Sequence, residues 1–347
     1  MTVVEMPRVR EAKRRRLTAL RIGGLFVVLA LVFAAMLVSV AVGAKHLPID
    51  VVWNALFHFD GSYDANLVWD QRIPRTLLGA LVGAALGGGG ALMQAVTRNP
   101  LADPVLFGVE AGASVAVVTA ISVFGVASLS GYVWFALAGA AATSVLVYLL
   151  GASSRGGATP VRLALAGTVV TAVLTGVITA FTTMHAKTWQ VMRFWTIGSL
   201  VNRGYDVLWE VLPFLVAGAV IGLSVTGALN ALALGDDAGR ALGAHAGRTR
   251  VLSMLGIVLL CGGATAAAGP IGFVGLAVPH AVRAIVGPDY RWVVPYSMAA
   301  APLLVVGADV LGRVVLPTGE LEAGVVTAVI GAPVFINLVR RKRLAKL

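Results

Sequence analysis

Apolar residues run through this chain in blocks of about twenty, separated by short polar stretches rich in Gly, Pro and charge. Ten blocks are long enough to be helical membrane spans, at 22–43, 76–96, 104–126, 132–151, 162–182, 208–229, 250–269, 271–286, 292–312 and 323–339. Helices are required because an open strand in lipid leaves backbone groups unpaired. The expected architecture is an all-α polytopic membrane protein. It divides into a basic segment at 1–21, one transmembrane domain at 22–339 and a basic tail at 340–347. The polar connections predict two further helices, an amphipathic one over 49–59 and a short one inside 230–249. The latter opens with Asp236 and Asp237 and carries Arg240 later, the order that suits a helix dipole.

Composition agrees, with 58% hydrophobic and only 12% charged residues. The formal charge of +11 suggests nucleic acid until it is located. Of the 27 Lys and Arg, 12 lie in clusters at Arg8–Arg21 and Arg340–Lys346, both abutting spans. They read as topology signals and anchors for anionic lipid, which leaves no nucleic-acid surface. An even number of spans puts both basic ends on one face, and the positive-inside rule makes that face cytoplasmic, in a multi-pass inner-membrane protein. The connections at 44–75, 127–131, 183–207, 269–270 and 313–322 then lie outside. Those at 97–103, 152–161, 230–249 and 287–291 lie inside.

Chemistry-bearing patterns are scarce. The chain has no GxxxxGK[ST] phosphate loop, no HExxH and no His/Cys cluster with metal spacing, so it reads as no enzyme and as holding no metal or cofactor. Transport energy would come from a separate ATPase or an ion gradient. Gly79, Gly83 and Gly87 recur at i, i+4, i+8 in the second span and precede Gly88, Gly89 and Gly90, a spacing that lets helices approach closely. Asp309 lies deep in the ninth span, four residues before Arg313, and reads as one end of a buried hydrogen bond in preference to a proton relay. Glu110 begins the third span, His280 follows Pro279, and Cys261 reads as a small packing residue.

Six segments, in order, carry a resemblance: RIPR (72–75), GALMQAVTRNPLADPVLFGV (90–109), RFWTIGSL (193–200), GRALGAHAGRTR (239–250), AAGPIGFVGLAVPHAVR (267–283) and GELEAGVVTAVIGAPVFI (319–336). From about residue 20 onward the chain resembles the type II permease subunits of binding-protein-dependent ABC importers for ferric siderophores, haem and cobalamin. It departs from their pattern at Glu110 and His245, where Asn is common. The resemblance implies a second permease subunit, two ATPase subunits that bind ATP and Mg on the cytoplasmic face, and an extracytoplasmic binding protein. It also implies ATPase coupling through Asp237, Arg240, Leu242 and Gly243, and binding-protein docking at Arg72, Arg75 and Arg313. A translocation path lined by Gly83, Gly87, Gly167, Thr168, Thr171 and Thr175, with Phe194 and Trp195 at an external gate, would pass a bulky chelate. A ferric siderophore is the expected cargo, with haem or cobalamin, or a gradient-driven transporter, as alternatives.

Overall fold

The computed structural model describes residues 5–43, 45, 47–126, 128–153, 160–316 and 319–344; of 5–14 and 337–344 it describes the backbone alone. The basic residues at 8–14 and 340–346 and most of the connection 152–161 therefore lie outside the described side chains. In order, the helices are α1 Glu5–Ala41, α2 Ile49–Phe57, α3 Tyr63–Asn66, α4 Ile73–Thr97, α5 Val109–Phe124, α6 Leu129–Ala152, α7 Pro160–Met184 and α8 Ala186–Trp195. They continue with α9 Tyr205–Ser224, α10 Thr226–Ala233, α11 Asp236–Ala241, α12 Ala246–Ile257, α13 Gly263–Ala268, α14 Val274–Val286, α15 Tyr290–Val314 and α16 Ala323–Leu344. No strand occurs among the described residues. Wider π-type turns over Leu67–Arg72 and Val258–Gly262 make continuous rods of Tyr63–Thr97 and Ala246–Ala268.

Seven of these rods are long and apolar enough to cross a membrane, and three shorter apolar helices accompany them. Together they match the ten expected spans, with two boundaries corrected. The third begins at Val109 and not at Pro104. Asp103 accepts a hydrogen bond from Val105 N at 3.0 Å and starts a single 3₁₀ turn, and Gly108, at φ 68°, breaks the chain before α5 begins. The sixth ends at Ser224, after which α10 is a separate helix. There the Ser224 and Thr226 hydroxyls bond back to Ile221 O and Leu223 O, a local alternative to helical continuation. The helix expected over 49–59 is α2, and the short helix of segment 230–249 is α11. A ten-residue helix, α8, occupies the connection 183–207, where none was expected.

α4 is the hub. In its most apolar window 78% of residues are buried within the chain, against 6% for α1 and 11% for α7, so α1 and α7 are the helices left to lipid or another subunit. Its glycines explain the burial. A Cβ on Gly83 would fall 2.8 Å from Pro302 Cα, and one on Gly87 2.3 Å from Ser297 O, so α15 packs backbone to backbone against this face. On the next face a Cβ on Gly90 would lie 2.0 Å from Gly275 O of α14, and one on Gly89 2.2 Å from Cys261 Sγ. Without a hydrophobic drive between helices in lipid, such close contact is what holds a bundle together.

The loop 269–273 interrupts the bundle. α14 has 13 residues, a length of about 20 Å, which is short of a bilayer core. Gly269 (φ 74°) and Phe273 (φ 68°) turn the chain into it. This irregular backbone is sealed by protein: Ser199 N donates to Ala268 O at 2.8 Å, and Gly269 lies so close to Trp195 O that no Cβ fits there.

Candidate functional site

Two polar constellations stand at opposite ends of α4. The first grows from the RIPR turn. Pro74 follows the π-type turn directly within this continuous rod, and that wider turn delivers Arg72 and Arg75 to the end of α1. Arg75 Nη2 donates to Asp309 Oδ1 at 2.7 Å and its Nη1 to Glu320 Oε2 at 2.7 Å. Arg313, one turn beyond Asp309, pairs with the other oxygen of that carboxylate. The remaining donors of Arg72 and Arg313 do something the sequence did not suggest: they cap α1. Arg72 Nη1 reaches Val40 O and Ala41 O at 2.9 and 2.7 Å, while Arg313 Nη1 reaches Ser39 O and Val42 O at 2.7 and 3.0 Å. A helix end leaves its last carbonyls unpaired and carries partial negative charge, so two guanidiniums satisfy both needs. Ser39 Oγ and Thr76 Oγ1, 2.7 Å apart, close the corner between α1 and α4.

The three expected docking residues are thus brought together at one corner. Arg72 and Arg313 are 5% and 4% exposed, and the described donors of all three arginines are directed into the chain. They form the frame of a polar pocket of about 210 Å³, to which Lys45, Tyr63, Gln71 and Glu320 also contribute. Three arginines against Asp309 and Glu320 leave the corner with surplus positive charge. The structural reading of Asp309, a buried bond to Arg313, is the observed one.

The second constellation surrounds α11. Gly235 (φ 114°) and Gly243 (φ 83°) bound this one-and-a-half-turn helix, and neither has a neighbour within 4 Å of a Cβ position. Between them Leu242 is 65% exposed, a large apolar side chain at the tip of a polar loop. Asp237 and Arg240 pair at 3.3 Å on the solvent side. Asp236 faces inward and is gripped from both sides: one oxygen pairs with Arg98 at the end of α4, the other takes Arg250 Nη2 of α12 at 2.8 Å. The hydrogen bond from Arg98, reinforced by Arg250, holds this carboxyl below its ordinary range. Arg98 sits in the left-handed region at φ 49° as the C-cap that ends α4 before Asn99-Pro100, and from there its side chain reaches Asp236. Arg98, Asp236 and Arg250 form a brace that sequence reading missed. Its only trace is a charged residue at the helix-ending Arg98-Asn99-Pro100.

The expected path residues separate. Gly83 and Gly87 do not line an opening; they are consumed by the contact with α15. Trp195 is 3% exposed and packs in the core beside the 269–273 loop. The Phe194 side chain lies outside the described residues. Gly167 is buried, Thr171 half-buried, and Thr168 and Thr175 are exposed on α7. Glu110 stands in the first turn of α5, His245 precedes α12, and Cys261 is fully buried. Among the described residues no group of three His, Cys, Asp or Glu side chains could hold a metal ion.

The model of the FecCD transport family matches residues 29–341. The chain belongs to that family. Among relatives of this FecCD chain, the ferric enterobactin transport system permease protein FepD of Escherichia coli is 47% identical over 315 residues, 90% of this chain and 94% of the relative. The Fe(3+)-citrate import system permease protein YfmD of Bacillus subtilis is 40% identical over 96% of this chain and 99% of its own length. A solved metal-chelate type ABC transporter in an inward-facing conformation matches with a TM-score of 0.80 at 26% identity, covering 91% of this chain and 98% of that one. The permease fold expected from the ordered segments is thus the observed one. The FecCD permeases are subunits of ABC importers, which operate with ATPase and binding-protein partners.

Proposed function

We propose that this chain is the membrane permease of an importer for ferric siderophores, taken up as intact chelates and driven by separate ATPase subunits that hold ATP and Mg. The near-full-length similarity to a ferric enterobactin permease carries this reading. The test is uptake of iron-labelled siderophore, haem and labelled cobalamin in a strain lacking the permease. Loss of ferric siderophore uptake, with haem and cobalamin uptake intact, is the expected result; loss of haem or cobalamin uptake alone would reassign the cargo.

A second permease subunit pairs with this one across the exposed side of α7. Support comes from its small and hydroxyl-bearing residues: Thr175 and Thr179 donate to Thr171 O and Thr175 O at 2.8 and 2.9 Å, which mutes their polarity without removing it. Such a wall holds a chelate weakly and lets it leave. The ATPase subunits grip α11, with Asp237, Arg240, Leu242 and Gly243 in the contact and the brace behind it. Replacing Leu242 with glutamate is therefore expected to reduce uptake at least tenfold while ATP hydrolysis by the assembled transporter continues. Uptake at the wild-type rate would remove Leu242 from the contact. The binding protein lands on the outer corner framed by Arg72, Arg75 and Arg313, where the surplus positive charge meets acidic side chains.

Both termini face the cytoplasm of an inner-membrane protein. Cysteines placed in tags at either end are expected to stay unlabelled by an impermeant maleimide in intact cells and to react after lysis. Labelling of one end in intact cells would reverse or break this topology.

A further inference from the structure

Between α6 and α12 the surface opens into a groove of about 270 Å³ that the transport reading does not use. Ala141, Val145 and Tyr148 form one wall, and Val251, Met254 and Leu255 form the other. Val145, Val251 and Leu255 are exposed apolar side chains, so the groove faces out from the bundle. Ser144, also in the lining, spends its hydroxyl on Ala140 O at 2.7 Å, which leaves Arg250 as the charged residue of the groove. Arg250 stands at the end of the groove nearest α11, and Tyr148 marks the same end on the antiparallel α6. An arginine and a tyrosine at one end of an apolar slot are the side chains that settle at a membrane–water boundary.

The charge at this end is unbalanced. Arg250 shares Asp236 with Arg98, so two guanidiniums face one carboxylate. A groove of this shape with neutral ends would take any acyl chain; surplus basic charge at the membrane surface selects an anionic headgroup. We propose that the α6–α12 groove is a binding site for one anionic glycerophospholipid. One acyl chain lies between the two walls, and the phosphate sits at the Arg250 end. The proposal rests on the cytoplasmic orientation of segment 230–249 given above, and it places the lipid in the inner leaflet. It also makes the lipid a neighbour of the ATPase coupling segment, because the phosphate and Asp236 draw on the same guanidinium.

The full-length chain is reconstituted in vesicles with phosphatidylglycerol or phosphatidylcholine carrying the same diazirine-labelled acyl chain, and adducts are mapped by mass spectrometry after illumination. Adducts are expected on 141–148 and 251–258, with phosphatidylglycerol exceeding phosphatidylcholine about fivefold, the factor that about 1 kcal/mol per basic side chain at a membrane surface corresponds to. Ala141→Phe, which fills the groove, and Val251→Glu, which sets a carboxylate beside Arg250, should each bring the two lipids to equal, low labelling. Either variant suffices if the other fails to fold. Equal labelling by the two headgroups in the wild type overturns the proposal. So does a preference that survives both variants, or protection of both walls by a cross-linked second copy. The readout is lipid attachment, so it stands apart from the cargo assignment, and the orientation fails separately in the terminal-tag experiment.

Discussion

Asp309→Ala is expected to lower the stability of the folded chain by about 3–5 kcal/mol, the range for removing one partner of a buried ion pair. The carboxylate is 2% exposed and serves two guanidiniums. Without it Arg75 keeps Glu320, but Arg313 is left with the backbone carbonyls of α1 and Ser39 Oγ, a buried positive charge that has lost its ion-pair partner. The effect should spread, since Arg313, with Arg72 and the Ser39–Thr76 contact, ties the end of α1 to the bundle. Thermal melting of the detergent-solubilised chain, followed by size-exclusion chromatography, is the measurement. Asp309→Asn, which keeps an acceptor and loses the charge, should fall between wild type and alanine. A wild-type melting temperature for Asp309→Ala would show that the network contributes little.

The second large effect is expected at Gly90. A methyl group there would overlap Gly275 O at 2.0 Å and Gly275 Cα at 2.4 Å. Both obstacles are backbone, so no rotamer change can relieve them, and α14 must move away from α4. Overpacking costs about 1–3 kcal/mol where side chains can adjust, and Gly90→Ala should reach or exceed the upper end of that range. Gly307→Ala supplies the contrast. It lies in α15 with nothing within 4 Å of its Cβ position, and the substitution should be neutral or stabilising by up to about 1 kcal/mol. Equal melting temperatures for the two variants would refute close packing as the role of the glycine run.

The helices were legible because lipid imposes its own period on a sequence: a block of about twenty apolar residues has few other uses. What escaped was decided by tertiary geometry. Arg72 and Arg313 lie near the ends of their spans, which is where interface anchors also lie. Only the position of the last turn of α1 shows that their donors are taken by Ser39, Val40, Ala41 and Val42. Gly83 and Gly87 carry the same signature whether they border a path or a neighbouring helix, and α15 supplies the answer. α8 was hidden because its ten residues, AKTWQVMRFW, mix charge and aromatic bulk within a connection that had no need to be helical. The brace of Arg98, Asp236 and Arg250 joins residues 138 and 14 positions apart, a separation at which one sequence carries no pairing information.

α4 has 25 residues and so runs for about 37 Å between the arginine corner and the brace. Held backbone to backbone against α15 along one side and α14 along another, it would move with them as one stiff body. A tilt of about 10° imposed at one end of a rod of that length displaces the other by about 6 Å. A pull on α11 would then need no relay of side chains to be felt on the opposite face; it would arrive as the motion of one rigid beam.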